Sequence, residues 1–437
     1  MNERPPRPSF AQALRVWLEI GLLSFGGPTG QIALMHRELV EKRRWVSDSR
    51  FLHALNYCML LPGPEAQQLA IYIGWLLHRT WGGIVAGALF VLPGALVMWG
   101  ISVVYVLFGR LPAMEAVFYG LKPAVIAIVA AAVLRIGRRA LRNHVLWGIA
   151  LLAFVAIFFF KAPFPLILAG AALVGFLCGL RWPEIFDAST GHGSGTKPGG
   201  ADYVIGDDEI HSRPTVGRTV VTVAIWSVVW LLPVLGCVLA FGPAHVLTTE
   251  SLFFSKAALV TFGGAYAVLP YVAQQAVEHH DWLTAPQMLD GLGLAETTPG
   301  PLILVLQFVG FLGGWHAPGG GLWLATLAAA LTSWVTFVPG FLFIFAGAPF
   351  VESSRGNRRL STALSAITAA VVGVILNLAV WFGWHVIFPA GRGVDGFSLA
   401  AAVFFFVALQ KGKWSVLPLL GIAALAGLIW KWLLGMA

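Results

Sequence analysis

Charged residues are scarce in this chain. They make up 11% of its 437 residues, whereas 58% are hydrophobic and the mean hydropathy is +0.80. A soluble fold of this length could not bury so much apolar surface, so the composition indicates an integral membrane protein. The net charge of +8 is better explained by basic cytoplasmic loops than by nucleic-acid binding, because no basic tract is interleaved with aromatic residues.

Cysteine is also rare, and the residue patterns of an enzyme are absent from the sequence. The chain has three cysteines, Cys58, Cys178 and Cys237. They are far apart in apolar surroundings, which predicts small core residues rather than disulfides or metal ligands. The run 279–281 (His-His-Asp) lacks further ligands at a zinc-like spacing. Because no Ser/His/Asp or Cys/His constellation is present either, we expect no metal, no cofactor and no enzymatic activity. The N-terminus shows no small-residue cleavage site, so we expect no removed signal peptide.

Apolar runs of about 20 residues, the length that crosses a bilayer as a helix, recur along the chain. A membrane barrel would instead show alternating segments of about ten residues, so the sequence predicts an all-α polytopic membrane protein. Intact spans are expected at about 82–107, 113–134, 144–160, 163–180, 218–241, 320–347, 360–386, 397–409 and 414–435. Four further apolar stretches are interrupted by Gly or Pro, at about 11–35, 51–78, 251–275 and 286–314.

The chain contains two copies of one unit. Seven residues recur at a constant displacement of 237 positions: Phe25-Gly26-Gly27, Trp45 and Pro62-Gly63-Pro64 return as Phe262-Gly263-Gly264, Trp282 and Pro299-Gly300-Pro301. A further pair, Pro93-Gly94, returns as Pro339-Gly340 at a displacement of 246. We expect the first copy at residues 1–180, a polar cytoplasmic linker at 181–217 and the second copy at 218–437.

Each interrupted stretch is expected to form two half-helices, because proline removes an N–H group and clashes with the preceding turn. Basic residues precede, separate and follow the first two stretches. If basic loops are cytoplasmic, these stretches are re-entrant hairpins that return to the side from which they start. A kinked but fully spanning helix is the alternative.

The two copies are expected to have opposite orientations. Residues 36–50 include five Lys or Arg, whereas the equivalent residues 273–287 include none. The bias reverses further along, where the turn at Arg110 has one Arg and its counterpart at 355–359 has three. Basic loops stay inside, so the copies are inverted. Inverted repeats are typical of secondary transporters, which bind substrate near the midplane and expose it to each side in turn.

The four interruptions are expected to meet at one site, because non-helical backbone at membrane depth is tolerated only against protein or a watery cavity. A half-helix that starts there presents free N–H groups and the positive end of its dipole, which favour a small oxyanion. Neutral side-chain donors follow or precede the interruptions. The predicted substrate-binding residues are Phe25, Gly26, Gly27, Pro28, Gln31, Pro62, Gly63, Pro64, Gln67, Gln68, Phe262, Gly263, Gly264, Thr297, Thr298, Pro299, Gly300 and Pro301. The alternative is that these residues serve only helix packing and kinks.

Few ionisable residues lie within the apolar segments. Charge at membrane depth usually marks a pathway, a proton relay or an ion pair. Glu65 and Glu296 both adjoin a Pro-Gly-Pro interruption and are candidates for proton coupling. Lys122 and Lys256 are candidate partners of the substrate or of these carboxyl groups. The alternative is an interfacial position in which the charged end reaches water.

Three motifs resemble the chromate transporter family in its long, two-domain form. They are the FGGP turn, the run Phe51–Ala70 that contains Pro62-Gly63-Pro64-Glu65, and the second-copy run Thr297–Pro301. The resemblance covers nearly the whole chain, and it adds Asn56 to the residues at the family's motif positions. It implies a carrier of the inner (plasma) membrane that exports chromate, driven by the proton gradient or the membrane potential, and so confers chromate resistance.

The sequence leaves other functions open. Chromate and sulfate share charge and shape, so backbone donors would separate them poorly, and sulfate is an alternative candidate, as a competitor or as a second substrate. An anion channel is a nearer alternative than a membrane enzyme, and it would conduct without a driving ion. Beyond chromate and the lipid bilayer, we expect no nucleic-acid partner, and whether the chain forms a homodimer is left open.

Overall fold

The computed structural model describes residues 6–109, 111–181, 203–205, 215–262, 264–351, 358–389, 393–412 and 414–435. Regular structure within these ranges is helical, apart from one isolated β-bridge. Six of the described helices are long and apolar enough to cross a membrane. The prediction of an all-α polytopic membrane protein is confirmed.

Both copies consist of helices whose interruptions fall where the sequence predicts them. The first copy contains α1 (Phe10–Leu23), α2 (Gly27–His36), α3 (Asp48–Cys58), α4 (Glu65–Phe108), α5 (Pro112–Ala140), α6 (His144–Phe160) and α7 (Phe164–Arg181). Helix α8 (Val216–Phe241) precedes the second copy. The second copy contains α9 (Val246–Val260), α10 (Ala265–Ala273), α11 (Ala285–Thr297), α12 (Val305–His316), α13 (Leu322–Val351), α14 (Arg358–Ile387), α15 (Gly396–Gln410) and α16 (Val416–Leu433).

Helix α4 has two limbs that are separated as the sequence predicts, with the first ending at about 78 and the spanning limb beginning at about 82. The limbs meet at His78 and Arg79, where the backbone is not helical and φ is −134° and 55°. The limbs pack closely because Gly74 and Gly82 face each other without side chains. At the bend, His78 Nε2 is hydrogen-bonded to the carbonyl oxygen of Pro8 at 2.9 Å. The first limb therefore returns to the end of the molecule where α1 starts, as a re-entrant hairpin requires.

The second limb of α4 runs antiparallel to its counterpart in the other copy, α13. Gly83 of α4 lies against the ring of Phe345, and Gly87, one turn later, lies against Phe341, one turn earlier on α13. Positions later along α4 thus contact positions earlier along α13, which is the pattern of antiparallel helices. Because α4 and α13 carry the equivalent Pro-Gly pairs, this packing gives the two copies an inverted relationship.

The copies also exchange their last two helices. The pair α6 and α7 packs on α14 of the second copy, and the equivalent pair α15 and α16 packs on α5 of the first. Small residues allow these close approaches: Gly120 of α5 lies against Gly427 of α16, and Gly175 of α7 lies against Ala366 of α14. Close backbone contact of this kind is the usual basis of helix association in lipid.

Helix α8 has no equivalent in the first copy. If the re-entrant hairpins and the pair α6 and α7 return to the side from which they start, and α4 and α5 cross out and back, the first copy ends on the side where it began. An inverted second copy must begin on the opposite side. The 26-residue helix α8, which reaches about 39 Å at 1.5 Å per residue, supplies the extra crossing. It is anchored on α13 by Trp226, whose ring stacks on Phe341.

The loops with opposite charge share one backbone conformation. Each first hairpin continues into a π-helical turn, Arg37–Lys42 in the first copy and Gln274–His279 in the second. Each turn is followed by a residue in the left-handed region, Arg44 (φ 52°) and Asp281 (φ 51°). The short described part of the linker, 203–205, packs against the first of these loops, with the amide of Ile205 donating to the carbonyl of Trp45 (3.0 Å).

Candidate functional site

The interruptions of the two copies are joined by reciprocal hydrogen bonds. The amide of Gly63 donates to the carbonyl of Thr261, and the amide of Gly300 donates to the carbonyl of Ser24, both at 2.8 Å. Gly63 and Gly300 are equivalent positions, and so are Ser24 and Thr261. Each Pro-Gly-Pro turn is therefore bonded to the residue before the Phe-Gly-Gly turn of the other copy.

Glycine is required at the centre of both Pro-Gly-Pro turns. Gly63 and Gly300 have φ of 116° and 92°, a region that residues with a side chain rarely adopt. Both turns are also backed by the other copy. Gly94 of α4 lies so close to the carbonyl of Pro299 that a side chain there would collide with it, and Gly340 of α13 lies against the amide group of Gln67. The repeated Pro-Gly pairs thus hold the turns in place.

The helix starts at the interruptions have no side-chain caps. The preceding half-helices α1, α3, α9 and α11 start away from the interruptions, and these starts are capped by the side chains of Ser9, Ser47, His245 and Thr284. The inner starts of α2, α4 and α10 have no side-chain cap, and their N-cap residues are Gly26, Pro64 and Gly264. At the fourth interruption, Pro301 precedes a short 3-10 turn, Leu302–Leu304, which leads into α12 and also has no side-chain cap. Pro28 lies in the first turn of α2. First-turn N–H groups that no side chain satisfies are available to an anion, which the helix dipole also favours.

The predicted neutral donors serve mainly to brace the backbone. Gln31 donates through Nε2 to the carbonyl of Gly300 (2.6 Å), and Gln68 donates to the carbonyl of Pro62 (2.7 Å). Gln67 donates more weakly to the carbonyl of Phe337 (3.4 Å). The hydroxyls of Thr297 and Thr298 donate to carbonyls one turn earlier in α11. These side chains hold the interruptions in shape, and the backbone amides are left as the donors for a ligand.

The remaining predicted residues are placed as follows. Phe25 and Phe262 are half-buried beside their glycines, whereas Asn56 is exposed on α3. Gly263 lies outside the described residues. Among the lysines, Lys256 is exposed on α9, and Lys122 forms an ion pair with Asp290 at 3.6 Å rather than with Glu65 or Glu296.

Both predicted carboxyl groups lie beside the start of α10. An oxygen of Glu65 is 4.0 Å from the position that a Cβ on Gly264 would occupy. Glu296 accepts a hydrogen bond from the hydroxyl of Tyr266 in the first turn of α10. The Glu296 contact connects the second Pro-Gly-Pro turn to the second Phe-Gly-Gly turn. The bond from Gly63 to Thr261 adds the first Pro-Gly-Pro turn, and the bond from Gly300 to Ser24 adds the first Phe-Gly-Gly turn. All four interruptions therefore form one connected cluster.

Sequence reasoning missed two polar residues of this region. Tyr266 follows the Phe-Gly-Gly turn, and Asp290 lies two turns before the second Pro-Gly-Pro turn on α11. Asp290 also accepts a hydrogen bond from Tyr105 at 2.9 Å. With Lys122 and His316, it lines a cavity of about 630 Å³ at the end of the molecule where α11 starts. An acid among apolar residues was the signal that could have identified Asp290.

Known proteins resemble the chain over most of its length. The sequence profile of the family described as Chromate transporter matches residues 11–176 and 250–428. The chromate transport protein of Pseudomonas aeruginosa is 33% identical over 97% of this chain and 93% of its own length. A probable chromate transport protein of Synechococcus elongatus is 30% identical over 86% of each chain, and the chromate transport protein of Cupriavidus metallidurans is 29% identical over 97% of this chain and 94% of its own. No solved structure matches the chain.

One matched region lies in each of the two copies. Together with the apolar helices they identify a multi-pass membrane protein, which in bacteria resides in the plasma membrane. Full-length similarity and a matching profile lead to one conclusion: this chain belongs to the chromate transporter family.

Proposed function

We propose that this protein is a secondary transporter that exports chromate across the plasma membrane, coupled to the proton gradient or the membrane potential, and so confers chromate resistance. The observation that carries the proposal is the reciprocal bonding of Gly63 and Gly300 to the other copy. It brings the uncapped helix starts into one cluster in a chain whose relatives are named chromate transport proteins.

The cluster has the chemistry that a tetrahedral dianion requires. Backbone N–H groups and helix dipoles stabilise negative charge, typically by about 0.3–1 kcal/mol per helix start and by up to about 2 kcal/mol in partly buried sites. The lysine candidates do not bond to the cluster, because Lys122 pairs with Asp290 and Lys256 is exposed. An oxyanion held by dipoles rather than by a fixed ion pair can also leave, which transport demands.

The inverted arrangement supports a carrier rather than a fixed pore. Transporters with inverted repeats expose a central site to each side by moving one element against another. Here the four half-helices that end at the cluster reach only part of the way across the membrane, whereas α4, α5, α13 and α14 are long enough to span it. Movement of the re-entrant hairpins against these longer helices would open the cluster to one side at a time.

Proton coupling would use carboxyl groups that face the cluster. Glu65 and Glu296 meet this requirement, since both lie beside the start of α10. A carboxyl group at membrane depth can exchange a proton when the site opens to water, and such residues commonly form proton relays in transporters.

Chromate flux into inverted membrane vesicles tests the proposal directly. We expect accumulation that increases when a pH gradient or a membrane potential is imposed, and that is competed by sulfate, because backbone amides distinguish the two dianions poorly. Vesicles with an empty vector are the control. Chromate conductance that is independent of any driving ion would identify an anion channel instead, and sulfate uptake without chromate uptake would reassign the substrate.

A further inference from the structure

Glu250 is a buried acid of the second copy that lies apart from the carboxyl groups of Glu65 and Glu296. It lies on α9, one turn from the start of the helix, and only 1% of the residue is exposed. Both of its carboxyl oxygens are buried, and neither has a hydrogen-bond partner among the described residues. A carboxylate in such surroundings would carry the full cost of desolvation without compensation. Burial without a partner therefore favours the neutral, protonated form of this carboxyl group.

A notch in the neighbouring half-helix accommodates this carboxyl group. Gly313 on α12 faces it, and a side chain at Gly313 would collide with Glu250 Oε1. Trp282 closes the notch on another side, because its indole ring also lies against Gly313. The acid and the glycine are thus a matched pair on two half-helices that both lead to the central cluster.

The first copy has apolar residues at the equivalent positions. A displacement of 237 relates Glu250 to Ala13 and Gly313 to Leu76. Both first-copy residues are buried, Ala13 at 4% and Leu76 at 1% exposure. A small and a large apolar residue therefore occupy the place that an acid and a glycine occupy in the second copy. Packing alone does not require an acid there, since the first copy is buried without one.

The elements around Glu250 offer it no charged partner. The titratable groups on its own helix and on the elements packed against it are His245, Lys256, His316, His279, His280, Asp281, Glu278, Tyr266, Tyr271, Cys237 and Arg218. None of them is hydrogen-bonded to Glu250. The described part of α13, which packs against α9, carries no titratable side chain.

We propose that Glu250 is a proton-carrying site of the transporter, loaded when α9 and α12 are closed and discharged when they separate. Separation would admit water to the carboxyl group, the O–H bond would break, and the proton would pass to that water. Glu250 is four residues from the start of α9, about 6 Å along the helix. Leu312 and His316, on the same turns as Gly313, line the 630 Å³ cavity at this end. The proposal rests on the proton coupling proposed above.

Two measurements on Glu250→Gln test the assignment. The first is the infrared carboxyl stretch of purified protein at neutral pH, which reports a protonated acid without any transport. The second is the dependence of chromate flux on the pH at the outer face. We expect the wild type minus E250Q difference spectrum to contain a protonated-carboxyl band, and we expect E250Q to lose the dependence on outer pH. The exposed neighbour Glu278 provides the control, because E278Q should retain both.

A double variant separates the role of the acid from that of packing. Glu250→Ala with Gly313→Leu gives the second copy the residue types that the first copy has at positions 13 and 76, so it should insert and purify like the parent while also losing the band and the pH dependence. No band in the difference spectrum, or a flux that still follows outer pH in E250Q, would overturn the assignment while leaving chromate transport intact. A parent that moves chromate without any pH dependence would overturn the proton coupling itself, and the carrying role of Glu250 with it.

Discussion

The amide of Gly63 lies 2.8 Å from the carbonyl oxygen of Thr261 and donates a hydrogen bond to it across the boundary between the two copies. The equivalent bond from Gly300 to Ser24 has the same length. Because the bonds come in a symmetric pair, a change at either glycine should affect the same central cluster. Gly63 and Gly300 are therefore two independent positions at which the role of the cluster can be tested.

We expect Gly63→Val and Gly300→Val each to abolish chromate transport while the protein still inserts into the membrane. A β-branched residue at positive φ is strained by about 1–3 kcal/mol. The new Cβ would also lie 2.9 Å from Gln68 Nε2 in the first case and 3.1 Å from Leu304 Cδ1 in the second. Gly148→Val on α6 is the control, because no atom lies within 4 Å of a Cβ there. Flux at the parent level in either cluster variant would contradict the site.

The inverted arrangement predicts opposite accessibility for two equivalent glutamates. Glu41 and Glu278 are related by the displacement of 237, and both are exposed at the π-helical turns. We expect Glu41→Cys to react with a membrane-impermeant maleimide only from the cytoplasmic side, and Glu278→Cys only from outside. Both substitutions belong in a background in which the three native cysteines are serine. Labelling of both positions from the same side would refute the inverted topology.

Glu65 is predicted to make transport depend on pH. Its counterpart in the second copy is Leu302, so only the first Pro-Gly-Pro turn is followed by an acid. We expect Glu65→Gln to retain membrane insertion but to lose the pH dependence of chromate flux, because an amide cannot take up a proton. Flux measured over a pH series in vesicles checks this. A variant as sensitive to pH as the parent would remove Glu65 from the relay.

Glu38 is predicted to stabilise the basic loop above acidic pH. Its side chain is 4% exposed and accepts hydrogen bonds from Lys42 (2.7 Å) and Arg43. Burial by itself raises the pKa of Glu38, but the hydrogen bonds and charges of Lys42 and Arg43 outweigh it and hold the pKa below the ordinary 4.5. The stabilisation is therefore complete above about pH 4.5 and is lost as the pH falls through the lower, folded-state pKa.

Thermal unfolding of the detergent-purified protein over a pH series tests this prediction. We expect Glu38→Gln to lower the unfolding free energy by about 1.5–3 kcal/mol at neutral pH, the range for hydrogen bonds to charged groups. Its stability should also depend less on pH in the acidic range. Glu41→Gln in the next turn is a suitable comparison, since a change at an exposed residue should stay within about 0.5 kcal/mol. Equal stability of E38Q and the parent at every pH would contradict the prediction.

The sequence predicted helix ends correctly where Gly and Pro control the backbone conformation. Helix ends at Gly27, Glu65, Ala265 and Thr297 follow from residues that cannot continue a helix or that permit unusual φ, so the interruptions could be predicted. The break between the limbs of α4 contains neither residue type, and the basic residue Arg79 marked it in the sequence instead. The exchange of terminal helix pairs was beyond prediction, since it depends on three-dimensional fit between small residues such as Gly120 and Gly427.

The polar part of the site was harder to predict. Gln31, Thr297 and Thr298 were expected to face a ligand, and the structure uses them to bond the backbone. Such roles depend on side-chain direction, which spacing along a chain does not specify. Glu250 was missed because only the contrast with Ala13 makes it conspicuous, and that contrast becomes visible when the copies are compared position by position.

Helix α8 makes the number of membrane crossings between the two copies odd, so that the second copy starts on the opposite side from the first. With it, one polypeptide contributes both senses of the repeat, and the stoichiometry of the two halves is fixed at synthesis. A shorter protein with a single repeat and no such helix could build the same core only from two molecules that enter the lipid in opposite directions, and half of its random pairings would be unproductive. The 26 residues of α8 thus join the two orientations covalently, so neither half has to find a partner of the opposite orientation.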